Sequence, residues 1–105
     1  MAKFFFGYHG GHGMPETPEE QEKVMAAWGE WFGSLGAAVL DGGNPFGSAR
    51  TVATDGAITD GGGSNPLTGY SIVDADSLDA AVTMAKDCPV LANGGNVEVC
   101  EAIDM

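Results

Sequence analysis

Leu67-Thr68-Gly69-Tyr70-Ser71-Ile72-Val73-Asp74-Ala75-Asp76-Ser77-Leu78-Asp79-Ala80-Ala81 decides the fold, because one strand runs through it straight into one helix. From Leu67 to Ala75, aromatic and β-branched residues suit a pleated surface. Asp76 stands where a helix cap is needed, and Leu78, Ala81, Val82 and Ala85 then recur at helical spacing. Lys86 falls near the negative end of that helix, and Pro89 stops it. After the turn at Asn93-Gly94-Gly95, Asn96 to Ala102 alternates as a last strand, with Val97, Val99 and Glu101 on one face.

The front of the chain repeats this order. Lys3 to His9 holds three consecutive Phe and a Tyr, a strand closed by Gly10-Gly11. Thr17-Pro18-Glu19-Glu20 is a helix start, with a capping Thr, Pro at the first helical position and Glu completing the box. Val24, Met25, Trp28, Trp31, Phe32 and Leu35 form its apolar stripe, and Gly36 ends it. Gly29 and Gly33 weaken a helix, so close packing is expected there. Ala37 to Leu40 reads as a short strand before the turn at Asp41 to Gly47. Ala49 to Thr54 and Ala57 to Thr59 form a hairpin around Asp55-Gly56, followed by the glycine-rich loop Asp60 to Pro66. The order predicts one α+β domain over residues 1–105, a ferredoxin-like split βαβ with a hairpin inserted in its middle. Both helices would cover one face of an antiparallel sheet. The other face, still apolar, calls for a two-fold homodimer packed sheet on sheet.

The composition narrows the function classes. The 105 residues carry 15 acids against 4 Lys and Arg, a net charge of −11, so nucleic acid and anionic membrane surfaces are poor partners. No stretch approaches the ~20 apolar residues of a membrane span, and none reads as a signal peptide. A cytoplasmic protein is expected. Its two cysteines, Cys88 and Cys100, lack zinc-like spacing and read as reduced thiols.

The sequence resembles the YCII-related (DGPF-like) family of small bacterial proteins. The resemblance rests on the aromatics of the first strand, Pro18-Glu19-Glu20 with Met25-Ala26-Ala27-Trp28, and Leu40-Asp41-Gly42-Gly43. It continues through Asp60-Gly61-Gly62, Leu67 to Val73, Asp76 to Ala81, Cys88-Pro89 and Val97-Glu98-Val99. It implies a dimeric α+β barrel. It also implies, from the better-studied relatives, a cofactor-free enzyme with a His–Asp pair in a cleft, elimination from a chlorinated aromatic being one such reaction. Most of the family has no assigned activity. The family's helix histidine falls at Trp28, a residue that cannot exchange protons near neutral pH.

His9 and His12 are the side chains suited to acid–base work at neutral pH. Their spacing on a glycine-rich loop fixes no metal geometry, and with only Glu16 and Asp41 as further ligands no metal site is expected. The glycine clusters match neither a dinucleotide fingerprint nor a phosphate loop, so no cofactor is expected either. The sequence supports two readings. In the first, His9 is the base of a lyase-like or isomerase-like enzyme, Asp41 orients it, and Trp28 and Tyr70 line a cleft between sheet and helices. In the second, the same pocket serves a non-catalytic small-molecule binding or accessory module.

Overall fold

The structure, a computed structural model, describes residues 2–11 and 15–104; His12 lies outside them. The chain runs β1 (Ala2–Gly10), α1 (Pro18–Leu35), a short 3-10 turn (Gly36–Ala38), β2 (Val39–Asp41), β3 (Arg50–Val52) and β4 (Ile58–Asp60). It continues through β5 (Leu67–Ala75), α2 (Leu78–Ala85), α3 (Pro89–Ala92) and β6 (Gly95–Ala102). An antiparallel four-stranded sheet in the order β2-β5-β1-β6 gives the ferredoxin-like arrangement, and β3-β4 is the inserted hairpin. This is the ferredoxin-like α+β fold the sequence predicts.

The local signals explain most boundaries. Thr17 Oγ1 accepts the Glu20 amide at 3.2 Å, and Pro18 occupies the first turn of α1. α2 is capped one residue later than expected: Ser77 Oγ, rather than Asp76, accepts the Ala80 amide. The hydroxyl there reaches the orphan amide of the third helical residue, the usual N-cap contact. Gly36 leaves α1 with a φ of 57°, and its amide bonds Phe32 O. That exit winds Gly36–Ala38 into a 3-10 turn, so β2 begins at Val39 instead of Ala37.

Alternation along β1 divides the molecule. Phe4, Phe6 and Tyr8 point to the helix layer and are buried with Trp31, Val73, Ala75, Ala81 and Ala85. Phe6 stacks on Trp31 at 6.0 Å, and Trp28 meets Tyr8 edge-on at 5.1 Å. Gly29 and Gly33 were expected to permit close packing, yet a side chain at either would meet nothing within 4 Å. Both sit on the exposed side of α1, away from the aromatic stripe.

The Tyr8 hydroxyl donates to Ser71 Oγ at 2.7 Å, and Ser71 Oγ donates to Gly42 O at 2.7 Å, tying β1, β5 and the turn after β2 together. Burial raises the Tyr8 phenol well above its ordinary value near 10. An unfolded chain gives up that proton above about pH 10 while the folded one retains it, so stability falls from there upward. Tyr8→Phe should cost about 1 kcal/mol at neutral pH, for the bond lost to Ser71. It should also flatten the alkaline loss of melting temperature. An unchanged alkaline limb would show that Tyr8 is not what holds the proton.

The opposite sheet face carries Phe5, Gly7 and His9 from β1, Tyr70 and Ile72 from β5, and Glu98 and Cys100 from β6. No helix covers it. The slab is only 18 Å thick against 43 and 42 Å across, the depth of one sheet and one helix layer. The β3-β4 hairpin lies at the surface, with Val52 68% and Ile58 64% exposed. The radius of gyration of 15.0 Å accordingly exceeds the ~13 Å of a round chain this long.

Candidate functional site

A pocket of about 530 Å³ opens on this uncovered face, lined among others by His9, Glu98, Phe5, Phe46, Leu67 and Asn65. Gly7 lets two of its walls come together: a side chain there would stand 2.8 Å from Leu67 Cδ2 and 2.9 Å from Phe5 Cε1, which close over the bare backbone. After β2 the chain runs back along β5, where Phe46 N bonds Thr68 O at 2.9 Å and Pro45 bridges Gly69. This places the Phe46 ring on Tyr70 at 5.7 Å, and Tyr70 stacks on Phe5 at 6.2 Å. Three nearly parallel rings therefore pave the face beside the pocket.

His9 is buried at one end of the paving. Its Nδ1 stands 2.9 Å from Asn65 O and 3.2 Å from Pro66 O, and its Nε2 stands 2.9 Å from Glu98 Oε1. Carbonyl oxygens only accept, so Nδ1 carries a hydrogen. The Nε2–Oε1 contact then needs one more proton, held by either atom, or two acceptors would face each other. The dyad is asymmetric, with the histidine side chain 6% exposed and the glutamate 61%. Cys100 Sγ donates to the other oxygen, Glu98 Oε2, at 3.7 Å. Partial burial, then the neighbouring Glu98, raise the Cys100 thiol and keep it protonated.

Asp41 does not orient His9. Its Oδ2 accepts from the Tyr70 hydroxyl at 3.1 Å and its Oδ1 from the Gly43 amide at 2.8 Å. The bond to the carboxylate, then its charge, raise the Tyr70 phenol. The topology explains the separation. β5 lies between β2 and β1, Asp41 pairs with Ile72, and His9 pairs with Leu67 at the start of β5. That is roughly 17 Å along the strand at ~3.3 Å per residue.

Trp28 is on the helix face, against Tyr8 and Trp31, so the sheet stands between it and His9. The expected cleft between sheet and helices thus does not hold the four residues together. His9 opens on the far face, Tyr70 and Asp41 form a hydrogen-bonded pair on the same face, and Trp28 belongs to the other layer. Glu98 escaped the sequence reading because its place depends on the pairing of β6 with β1, which sets it opposite Gly7 and diagonal to His9. The sole available signal was its position out of phase with Val97 and Val99. Among the described residues no cluster of His, Cys, Asp and Glu could hold a metal ion. None of their helices is long and apolar enough to cross a membrane.

A two-layer α+β sheet protein with a histidine–carboxylate pair on its open face is the class that these features define. The chain belongs to the YCII-related family, whose domain model matches residues 10–105. Among solved structures it is similar to 5-chloro-2-hydroxyhydroquinone dehydrochlorinase (TftG) from Burkholderia phenoliruptrix AC1100, in complex with 2,5-dihydroxybenzoquinone. The TM-score is 0.58 at 18% identity, covering 98% of this chain and 95% of that one. The likeness is one of fold. No curated protein matches.

Proposed function

We propose that this protein is a cofactor-free, lyase-like or isomerase-like enzyme that moves a proton on a small planar molecule, with His9 and Glu98 as its acid–base pair. The observation that carries this reading is the 2.9 Å contact between His9 Nε2 and Glu98 Oε1, with Nδ1 already committed to two carbonyls. Glu98, the exposed member, meets the ligand; buried His9 balances its charge. A proton taken from a ligand C–H or O–H lands on the carboxylate, and the electron pair left behind moves into the ligand toward a carbonyl or a leaving group. Phe5, Phe46 and Tyr70 offer flat apolar surface to an aromatic or quinoid ring. Asp41 holds Tyr70 in place for that contact. The working unit is a homodimer whose second copy closes over the open face and roofs the ligand pocket there, acting on a small molecule rather than on nucleic acid or a membrane. A cytoplasmic setting suits its free thiols.

The alternative is a non-catalytic binding or accessory module. One observation favours it: both ring nitrogens of His9 are already bonded, the pattern of a clamped structural histidine. A screen of hydroxylated aromatic ligands by NMR in deuterium oxide separates the two. An enzyme should exchange a ligand C–H for deuterium, and Glu98→Gln should slow this by about 100-fold or more, the ordinary worth of a general base. Ligands that bind without exchange, equally in wild type and Glu98→Gln, would establish the binding module.

A further inference from the structure

The helix layer holds a second recess, about 710 Å³, between α1 and the turn that joins α2 to α3. Three observations give it a ligand chemistry. Its walls are apolar and aromatic: Trp28 and Trp31, the two tryptophans of the chain, lie beside Val24, Ala27 and Val90. Trp31 spends its indole N–H on Met84 O at 3.0 Å, whereas the Trp28 indole N–H meets no acceptor among the described residues. Lastly, two of only 4 Lys and Arg in the sequence line it, Lys23 on α1 and Lys86 across from it at the end of α2.

The charges are informative because of their rarity. Fifteen acids are spread over the chain, so Glu30 and Asp87 at the same rim are what chance supplies. Cations are scarce, and to find half of them on facing walls of one recess is not expected from composition. Neither lysine forms an ion pair with a described residue, despite acids on the same rim. Cys88 at the base is buried, and burial pushes its thiol up to about 11, so it adds no negative charge near neutral pH.

We propose that this recess binds a small carboxylate with an apolar, preferably aromatic, body. The ring would rest against Trp28 and Trp31, and the carboxylate would lie between Lys23 and Lys86, within reach of the open indole N–H. The site is separate from the His9 pocket, since the whole sheet stands between them, and it stands or falls independently of any catalysis there.

Both tryptophans line the recess, so tryptophan emission, excited selectively over Tyr8 and Tyr70, reports on it. Phenylacetate should alter the emission saturably, at a Kd on the order of a millimolar for so small a ligand. Phenethylamine, of similar size and opposite charge, should bind at least tenfold more weakly. Lys23→Gln and Lys86→Gln, both exposed and outside the core, should each weaken phenylacetate about threefold, as expected of exposed charge contacts. Added salt should act in the same direction. In NMR spectra the two indole N–H signals should move while the His9 ring signals stay fixed. Equal binding of the amine, wild-type affinity in the lysine variants, or shifts centred on His9 would each overturn the proposal.

Discussion

Gly43→Ala should lower the melting temperature by about 10 °C or more, while the same substitution at Gly33 should raise it. Gly43 has a φ of +74°, in the region where a side chain costs about 1 kcal/mol or more. Its position adds a second cost: a Cβ there would lie 1.7 Å from Tyr70 O and 2.6 Å from Tyr70 C. Backbone cannot yield as a side-chain tip can, so β5 or the turn must move, and overpacking of that kind costs ~1–3 kcal/mol. The sum, roughly 3 kcal/mol, converts at ~4–8 °C per kcal/mol in a domain this size. The displacement would also loosen the Asp41–Tyr70 pair and the Phe46 stack, since the Gly43 amide holds Asp41. Gly33 is helical with nothing within 4 Å of a new methyl, and there Ala gains about 1 kcal/mol from helix propensity. Thermal unfolding of the two variants beside the wild type is the measurement. A Gly43→Ala protein that melts like the wild type would mean that the turn does not sit against β5 as described.

The contrast between those glycines shows what sequence could and could not say. The fold was legible because its signals are local: the Thr17-Pro18 helix start, the Leu67–Ala75 strand with its observed bounds, and the Asp55-Gly56 hairpin. Each needs only neighbouring residues. What a glycine is for is not local. Gly29 and Gly33 looked like packing contacts and face solvent, whereas Gly7 and Gly43 owe their place to Leu67 and Tyr70, remote in sequence. The site failed for the same reason. His9 could be chosen by type, but its carboxylate partner follows from strand order and register. With β5 between β1 and β2, Asp41 was out of reach however well its position in the sequence suited the role. In the structure His9 shares the face of Phe5, because the ladder to β6 stays regular through His9. It was the pocket's side of the sheet that differed.

Substituting Ile72 with Arg should convert the proposed homodimer to a monomer, the largest effect expected of any surface change. Ile72 stands in the middle of the open face, directly paired with Phe5 on one side and Asp41 on the other. With Tyr70, Leu67 and Phe46 these residues make an apolar surface that a lone protomer leaves to water, Leu67 and Phe46 being 41% and 45% exposed. A second copy packed sheet on sheet would cover it at the ~10 Å spacing of stacked sheets. An arginine there keeps its charge in solvent in the monomer and costs little. In a dry interface it would lose several kcal/mol of hydration, enough to raise the dimer Kd by about 100-fold or more. Met25→Arg, on the exposed side of α1, is the matched control and should remain dimeric. Association doubles a net charge of −11, so moderate salt should tighten the wild-type dimer. Light scattering at micromolar concentration should give twice the 10.7 kDa chain mass for the wild type and Met25→Arg, and the single-chain mass for Ile72→Arg. If the wild type scatters as one chain while its near-UV circular dichroism shows intact aromatic packing, the open face has no second copy. The Phe5–Tyr70–Phe46 paving must then be stable in water as it stands.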